Sequence, residues 1–150
     1  MTDSSKKQST QLHPKFGHLI WDPNTDCFRG KHSWSKMMIE IIFYTDENQS
    51  LTPSLEIAEN LWTAEHDWNE RLEDFITQKL IPLKNKSWLE KGEPLLTEGE
   101  CKKRIKLLSI TIFPEGQFEF YYHDDDIFDG HTIQITGTQE NGFLHLNLLG

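Results

Sequence analysis

Cysteine is scarce in this sequence. The 150 residues contain two cysteines, Cys27 and Cys101, which lie far apart along the chain. Neither belongs to a Cys-x-x-Cys pair, which excludes a zinc site built from cysteines. Reducing conditions inside a cell keep thiols unpaired, so we expect both cysteines to be free rather than joined in a disulfide.

Long apolar runs are also missing. The longest run, MMIEIIFY at residues 37–44, is interrupted by Glu40, whereas a membrane-spanning helix needs about 20 apolar residues. Residues 1–15 are polar and lack the apolar segment of a signal peptide. We therefore expect a cytoplasmic protein in which residues 1–15 form a disordered tail and residues 16–150 form a single domain.

Familiar catalytic motifs do not occur either. The sequence contains no G-x-S-x-G, S-x-x-K or H-E-x-x-H pattern and no glycine-rich phosphate-binding loop. His66 lies between Glu65 and Asp67, but neighbours in the sequence of a helix do not face one another. We favour a protein that is not an enzyme, with no catalytic residue and no cofactor.

Negative charge, by contrast, is abundant and unevenly placed. The net charge is −9; residues 45–75 hold nine acidic and one basic side chain, and residues 115–131 hold six acidic and no basic side chain. These blocks argue against nucleic acid and anionic membranes as partners, because both are bound through basic residues. They are compatible with a basic protein partner, or with a surface that only keeps the protein in solution.

Strand patterns occur at both ends of the chain. Apolar and other residues alternate in three segments before residue 48 and in four segments after residue 105, and turn sequences separate most of them. The segments are FGHLIWD, CFRGKHSW, KMMIEIIFYTD, LLSITIF, QFEFYYH, HTIQITG and FLHLNLLG. The first two are separated by the turn PNTD and are predicted to form a hairpin.

Helical patterns fill the middle of the chain. Apolar residues recur at helical spacing within residues 55–62 and 68–80, with Thr52 as the expected N-cap of the first helix and Pro82 as the expected end of the second. The pattern TEGE at residues 97–100 is a capping box that opens a short third helix. We predict an α+β fold: a mostly antiparallel sheet of about six to seven strands, with two to three helices inserted mid-chain and packed on one face.

The stretch YYHDDDIFDGHTIQI, residues 121–135, places four aspartates and two histidines between two predicted strands. A calcium loop of the EF-hand type is excluded, because the twelfth position counted from Asp124 is Ile135, which cannot coordinate a metal. A transition-metal site remains the alternative, which would make the protein a metal-binding protein or metal-dependent enzyme centred on residues 123–131. Its ligands would be His123, Asp126, Asp129 and His131.

Our main hypothesis is a protein-binding module with an acidic binding surface. The acidic candidates for partner binding are Asp124, Asp125, Asp126, Glu65, Asp67 and Glu70. Trp62 and Trp68 lie in the same helical region, either as core residues or as aromatic anchors inside an acidic rim. The sharpest form of the hypothesis is an immunity-type inhibitor of a basic toxin or nuclease. A structural subunit that forms homo-oligomers is a third possibility.

Four features of the sequence match a pattern shared by a group of bacterial proteins. They are an F-x-G hairpin near the start, the segment N-x-x-W-L-E, a helix leading into SITIFPEGQFEFYY, and FDGHTIQI. Over about residues 16–148 the chain thereby resembles DUF2262, a bacterial family of unknown function. The residues that carry the resemblance are Asn85, Trp88, Leu89, Ser109, Ile110, Phe128, Gly130, His131 and Ile133. The sequence departs from the pattern at Asp129, where the family favours an aromatic residue. The resemblance implies a bacterial source and a compact α+β domain, and it assigns no chemistry to any residue.

Overall fold

The computed structural model describes residues 10–150, and the part of the expected disordered tail from residue 1 to 9 lies outside the described residues. Eight strands are present: β1 Thr10–His13, β2 Gly17–Asp22, β3 Cys27–Trp34, β4 Met37–Phe43, β5 Lys106–Ile112, β6 Gln117–His123, β7 Thr132–Thr138 and β8 Gly142–Leu149. The helices lie between β4 and β5: α1 Thr52–Thr63, α2 Glu65–Leu83 and α3 Glu98–Arg104. A π-helical turn, Lys84–Trp88, continues directly from α2.

The eight strands form one sheet in which spatial order follows chain order. All neighbours are antiparallel except β4 and β5, which are parallel. The predicted α+β class and the β2–β3 hairpin are confirmed, but the strand count of six to seven was too low. Residues 10–13, which we expected to belong to a disordered tail, pair with β2 as an edge strand. Their sequence, TQLH, has no apolar alternation. The strand is held by backbone pairing with β2 and by His13, which lies 2.7 Å from Glu59 of α1.

The helices pack on one face of the sheet, as predicted, and enclose the core there. Alternate residues of the strands point towards the helices, and each helix turns an apolar stripe to the sheet. The fully buried residues of this interface include Ile41, Phe43, Leu61, Leu72, Ile76, Leu80, Ile110, Phe118, Phe120 and Ile135. On the opposite face a row of polar side chains is hydrogen-bonded across strands. Gln134 donates to the Tyr121 hydroxyl at 3.1 Å, and Asn147 donates to Gln134 at 3.1 Å.

The helix boundaries were predicted with mixed success. Thr97 caps α3 through its hydroxyl, which accepts a hydrogen bond from the Glu100 N–H at 3.2 Å. Helix α1 has Leu51, and not Thr52, at its N-cap position. Pro82 does not end α2 but lies inside it, and the chain continues into the π turn. Proline lacks an N–H and cannot make its own helical hydrogen bond, but the wider π turn that follows keeps the chain helical beyond it.

Both cysteines are buried free thiols, which confirms the prediction. Burial raises the pKa of Cys101 to about 11, so this thiol stays protonated at neutral pH. Within residues 10–150, no helix has the length and apolar character needed to cross a membrane.

The close approach of β7 and β8 at Gly137 can be tested. A Cβ atom at Gly137 would lie 2.4 Å from the Gly142 carbonyl oxygen and 3.0 Å from the Phe118 ring. We predict that Gly137→Ala lowers the free energy of unfolding by roughly 1–3 kcal/mol, the usual cost of overpacking. Gly99 in α3 has open space around it, so Gly99→Ala should raise the free energy of unfolding by about 0.5–1 kcal/mol. Urea unfolding of both variants measures this, and a Gly137→Ala variant as stable as the original protein would contradict the model of the close contact.

Candidate functional site

The acidic loop between β6 and β7 is organised around the carboxylate of Asp124. This side chain is 1% exposed and accepts hydrogen bonds from four backbone N–H groups of its own loop. Oδ1 accepts from Asp126 at 3.0 Å, and Oδ2 accepts from Phe128 at 2.9 Å and from Gly130 and His131 at 3.1 Å each. Hydrogen bonds to an ionised carboxylate are stronger than neutral ones. Asp124 therefore holds the loop closed from within.

The density of aspartate in this loop has a conformational cause. Asp125, Asp126 and Asp129 have φ values of 50°, 61° and 58°, and Gly130 has φ of 83°. Side chains other than glycine rarely adopt this left-handed region, and aspartate and asparagine tolerate it best. Three of the four aspartates in this loop are thus explained by the left-handed backbone conformation at their positions.

Lys84 holds the same loop from the helical layer. Its ammonium group is buried and donates to the carbonyl oxygens of Ile127 at 2.7 Å and Trp88 at 2.9 Å, and it lies 3.0 Å from the Glu93 carboxylate. A hydrogen bond with the Glu90 backbone and the one from Lys84 lower the pKa of Glu93. A buried ammonium is tolerated only when it is paired and hydrogen-bonded in this way. The sequence did not reveal Lys84, because we expected the helix to end at Pro82.

Three of the residues that carry the family resemblance, Trp88, Phe128 and His131, meet at this loop. The Trp88 ring packs edge-on against Phe128 at 5.5 Å and against His131 at 5.3 Å between ring centroids. Asn85 exchanges two hydrogen bonds with the backbone of Leu96, at 2.8 and 3.1 Å. The segments N-x-x-W-L-E and FDGH are thus two halves of one structural cluster, far apart in sequence but adjacent in the fold.

The expectation that Asp124, Asp125 and Asp126 all face water or a partner needs correction. Asp124 points into the loop for the reason given above. Asp125 is exposed, but its carboxylate accepts from Arg104 at 2.9 Å, and its carbonyl oxygen accepts from the same guanidinium at 2.6 Å. Asp126 is exposed. The loop therefore offers a partner less free negative charge than its sequence indicates.

The alternative metal ligands are not brought into a ligand set. Nδ1 of His123 accepts from the Asp125 N–H at 3.1 Å, and Nδ1 of His131 is hydrogen-bonded to the Phe128 carbonyl oxygen. Each histidine is thus held by its own side of the loop. In the part of the chain that the structure describes, no three His, Cys, Asp or Glu side chains are arranged to hold a metal ion, so His123, Asp126, Asp129 and His131 form no such centre.

The two tryptophans of the helical region belong to the core. Trp62 is 5% exposed, and its indole N–H donates to the Ser33 carbonyl oxygen at 2.7 Å. Trp68 is 7% exposed and packs edge-on against Phe118 and Phe143. Because both rings are already enclosed by the protein, the reading of Trp62 and Trp68 as exposed interface anchors is not supported.

The acidic candidates on α2 divide into two kinds. The carboxylate of Glu65 accepts a hydrogen bond from the Ser35 backbone N–H, which ties α2 to the β3–β4 turn. Asp67 and Glu70 are exposed. Glu70 lies 3.4 Å from His66, and both of these side chains are mostly exposed, so solvent screens their interaction. Asp67 and Glu70 are therefore the candidates that the fold leaves available to a partner.

The structural role of Asp124 leads to a direct test. We predict that Asp124→Ala lowers the free energy of unfolding by about 3–5 kcal/mol, because four loop N–H groups lose their acceptor. Asp124→Asn, which keeps one acceptor oxygen, should have an intermediate effect. The matched control is Asp126→Asn at an exposed, left-handed position of the same loop, which should change stability by less than about 0.5 kcal/mol. Urea unfolding compares the three variants, and equal effects at the two positions would refute the assigned role.

The comparisons with known proteins agree with the resemblance seen in the sequence. The model of a family described as "Uncharacterized protein conserved in bacteria (DUF2262)" matches residues 13–148. No curated protein and no solved structure matches the chain. The match includes all strands and helices except the first three residues of β1 and the last residue of β8. The chain therefore belongs to the uncharacterised bacterial family DUF2262.

Proposed function

We propose that the protein is a non-enzymatic binding protein that recognises a basic protein through the outer side of α2. One observation carries the proposal: Asp67, Glu70 and Asp74 are all exposed and are spaced three and four residues apart. This spacing places them on one side of a helix. We call these three residues the acidic stripe.

Lysine and arginine side chains do not neutralise the acidic stripe in the described part of the folded protein. Within residues 10–150, none of its three carboxylates forms an ion pair with a lysine or arginine. The guanidinium of the neighbouring Arg71 lies over the Trp68 ring, 4.2 Å from its centroid. A row of carboxylates without a lysine or arginine partner attracts a basic protein over a distance and steers its approach.

We assign Asp124, Asp125 and Glu65 a smaller role in binding than the acidic stripe, because each is engaged within the protein. Asp125 is paired with Arg104, Glu65 is engaged by Ser35, and Asp124 is internal. With Trp62 and Trp68 in the core, the recognition that we propose depends on charge more than on aromatic anchors. Association should accordingly be fast and strongly weakened by salt.

The more specific form of this proposal is an immunity-type protein. Toxins and nucleases that act on nucleic acid carry basic active sites, because phosphate groups must be bound. An acidic helix face can cover such a site and exclude its substrate. The absence of recognised catalytic motifs from the sequence is compatible with this role, and the acidic stripe supplies the complementary charge.

Neutralising the stripe tests the proposal. The variant D67N/E70Q/D74N removes three negative charges from α2, and the control E47Q/E115Q/E140Q removes three from exposed residues in loops outside the helices. We predict that a basic protein co-purifies from the native host with the original protein and with the control, and that the stripe variant recovers it about tenfold less. Titration of the purified partner with each variant then measures the change in Kd.

Salt dependence provides the second readout. Raising the salt concentration from about 50 to 300 mM should weaken binding of the original protein more than binding of the stripe variant, because fewer charges remain to be screened. Recovery of no basic partner at moderate salt, or equal affinity of the two neutralised variants, would refute the proposal.

For the immunity-type form, the partner must also arrest growth when expressed alone, and co-expression of this protein must relieve the arrest.

A further inference from the structure

A cavity of about 130 Å³ lies between α2, α3 and one end of the sheet. It lies where the parallel strands β4 and β5 separate. They are paired from Glu40 and Ser109 onwards, but the residues of each strand before this point are not paired with each other. Helices α2 and α3 cover this gap without filling it. The volume is close to that of a cavity of about 150 Å³ which binds benzene in another protein, so the cavity has room for a molecule of roughly this size.

Tyr122, on β6, lines the cavity and carries an unusual buried hydroxyl. The residue is 6% exposed, and its hydroxyl has no hydrogen-bond partner within residues 10–150. Buried polar groups are nearly always hydrogen-bonded, since an unpaired one loses its contacts with water without compensation. An isolated buried hydroxyl beside an open cavity indicates a group that a ligand can satisfy.

Glu73, on α2, provides a second unpaired polar group in the same cavity. Its side chain is half-buried, and it makes no hydrogen bond or ion pair with the described part of the chain. Burial, and then the nearby Glu73 carboxylate, raise the pKa of Tyr122. The two groups are thus close enough to interact electrostatically but are not hydrogen-bonded to each other.

Two further polar residues line the cavity: Asn69, which is already hydrogen-bonded, and Lys102, which is only weakly paired. Asn69 is engaged already, because its side-chain oxygen accepts from the Trp34 indole N–H at 2.8 Å. Lys102 of α3 also lines the cavity, and its only ion pair among the described residues is a long contact with Glu98, 3.5 Å between Nζ and Oε2. The remaining lining is mainly apolar and includes Ile76, Ile105 and Leu107.

We propose that this cavity binds a small free amino acid with a short apolar side chain. The ligand's ammonium group would donate to Glu73 and Tyr122, its carboxylate would accept from Lys102, and its side chain would contact the apolar lining. A ligand with both charges matches a site that contains an unpaired carboxylate and a weakly paired ammonium. The size of the cavity favours amino acids of up to about eight heavy atoms, such as valine. This site is separate from the acidic stripe and does not depend on the proposed protein partner.

Calorimetric titration with L-valine tests the proposal, with two matched compounds as controls. Isobutylamine lacks the carboxylate of valine, and isovaleric acid lacks its ammonium group. We expect saturable binding of L-valine at concentrations up to about 50 mM and at least tenfold weaker binding of either control compound. Chemical shifts of backbone amides should change mainly in α2 and α3 as valine is added.

Two variants connect this binding to the cavity. Tyr122→Phe removes only the buried hydroxyl and should weaken valine binding about tenfold or more, while the melting temperature without ligand stays equal or rises. Glu73→Gln should weaken binding by a similar factor. Tyr121→Phe is the matched control, since Tyr121 lies on the same strand but on the opposite face of the sheet, and it should leave valine binding unchanged.

Three results would overturn the proposal. The first is the absence of saturable valine binding to the original protein. The second is equal binding of isobutylamine or isovaleric acid, which would rule out recognition of both charges. The third is unchanged affinity in Tyr122→Phe despite a correctly folded protein, which would place any binding elsewhere. None of these results bears on the acidic stripe, because the compounds test only the cavity.

Discussion

The parallel pairing of β4 with β5 requires the chain to return along the sheet before the second of these strands can begin. The returning segment contains α1, α2, the π turn and α3, so every helix of the described chain lies in this one connection. The acidic stripe, the buried Lys84 and one side of the cavity, including Glu73 and Lys102, come from it, whereas Tyr122 comes from β6. The strands supply the scaffold and Tyr122, and the crossover supplies the other polar groups to which we assign a binding role.

The buried Lys84 fixes the crossover to the loop between β6 and β7, and the buried Asp124 holds that loop in its conformation. Lys84 reaches from the π turn to the Ile127 carbonyl oxygen, and Asp124 gathers the N–H groups of the same loop. Each of these groups depends on its partners, because an uncompensated buried charge is far more costly than a satisfied one. The Trp88 ring closes the cluster against Phe128 and His131. The loop is therefore best understood as the contact that holds the helical layer in place, despite its acidic sequence.

Local signals were sufficient for most of the elements. Alternation located β6 within its observed bounds, and the Thr97 hydroxyl caps α3 as its sequence indicates. The errors arose where distant parts of the chain decide the outcome. Strand β1 depends on backbone pairing with β2. The chain stays helical past Pro82 in a π turn, in which Lys84 donates to the Ile127 carbonyl oxygen of the loop between β6 and β7. Neither circumstance leaves a periodic pattern in the sequence.

The candidate sites show the same division between local and non-local information. A count of charges locates the acidic blocks, but it does not distinguish Asp124, which turns inward, from Asp126, which is exposed. That difference depends on the left-handed conformations of the loop, which direct several N–H groups to one carboxylate. The cavity was not predicted, because a void exists only between packed elements. Tyr122 looked like any other inward-facing aromatic residue of β6.

The periodicity of helix α2 keeps the two binding surfaces that we propose on different sides of the helix. Asp67, Glu70 and Asp74 lie on its outer side, whereas Asn69 and Glu73, four residues apart, line the cavity. Exposure then changes what each carboxylate can do. Those of the acidic stripe are surrounded by water and act through their summed field, which salt weakens. Glu73 is half-buried, so water screens it less, and a ligand that pairs with it gains more from a single well-placed donor. In our two proposals, the same residue type on one helix therefore serves a protein partner on one side and a small molecule on the other.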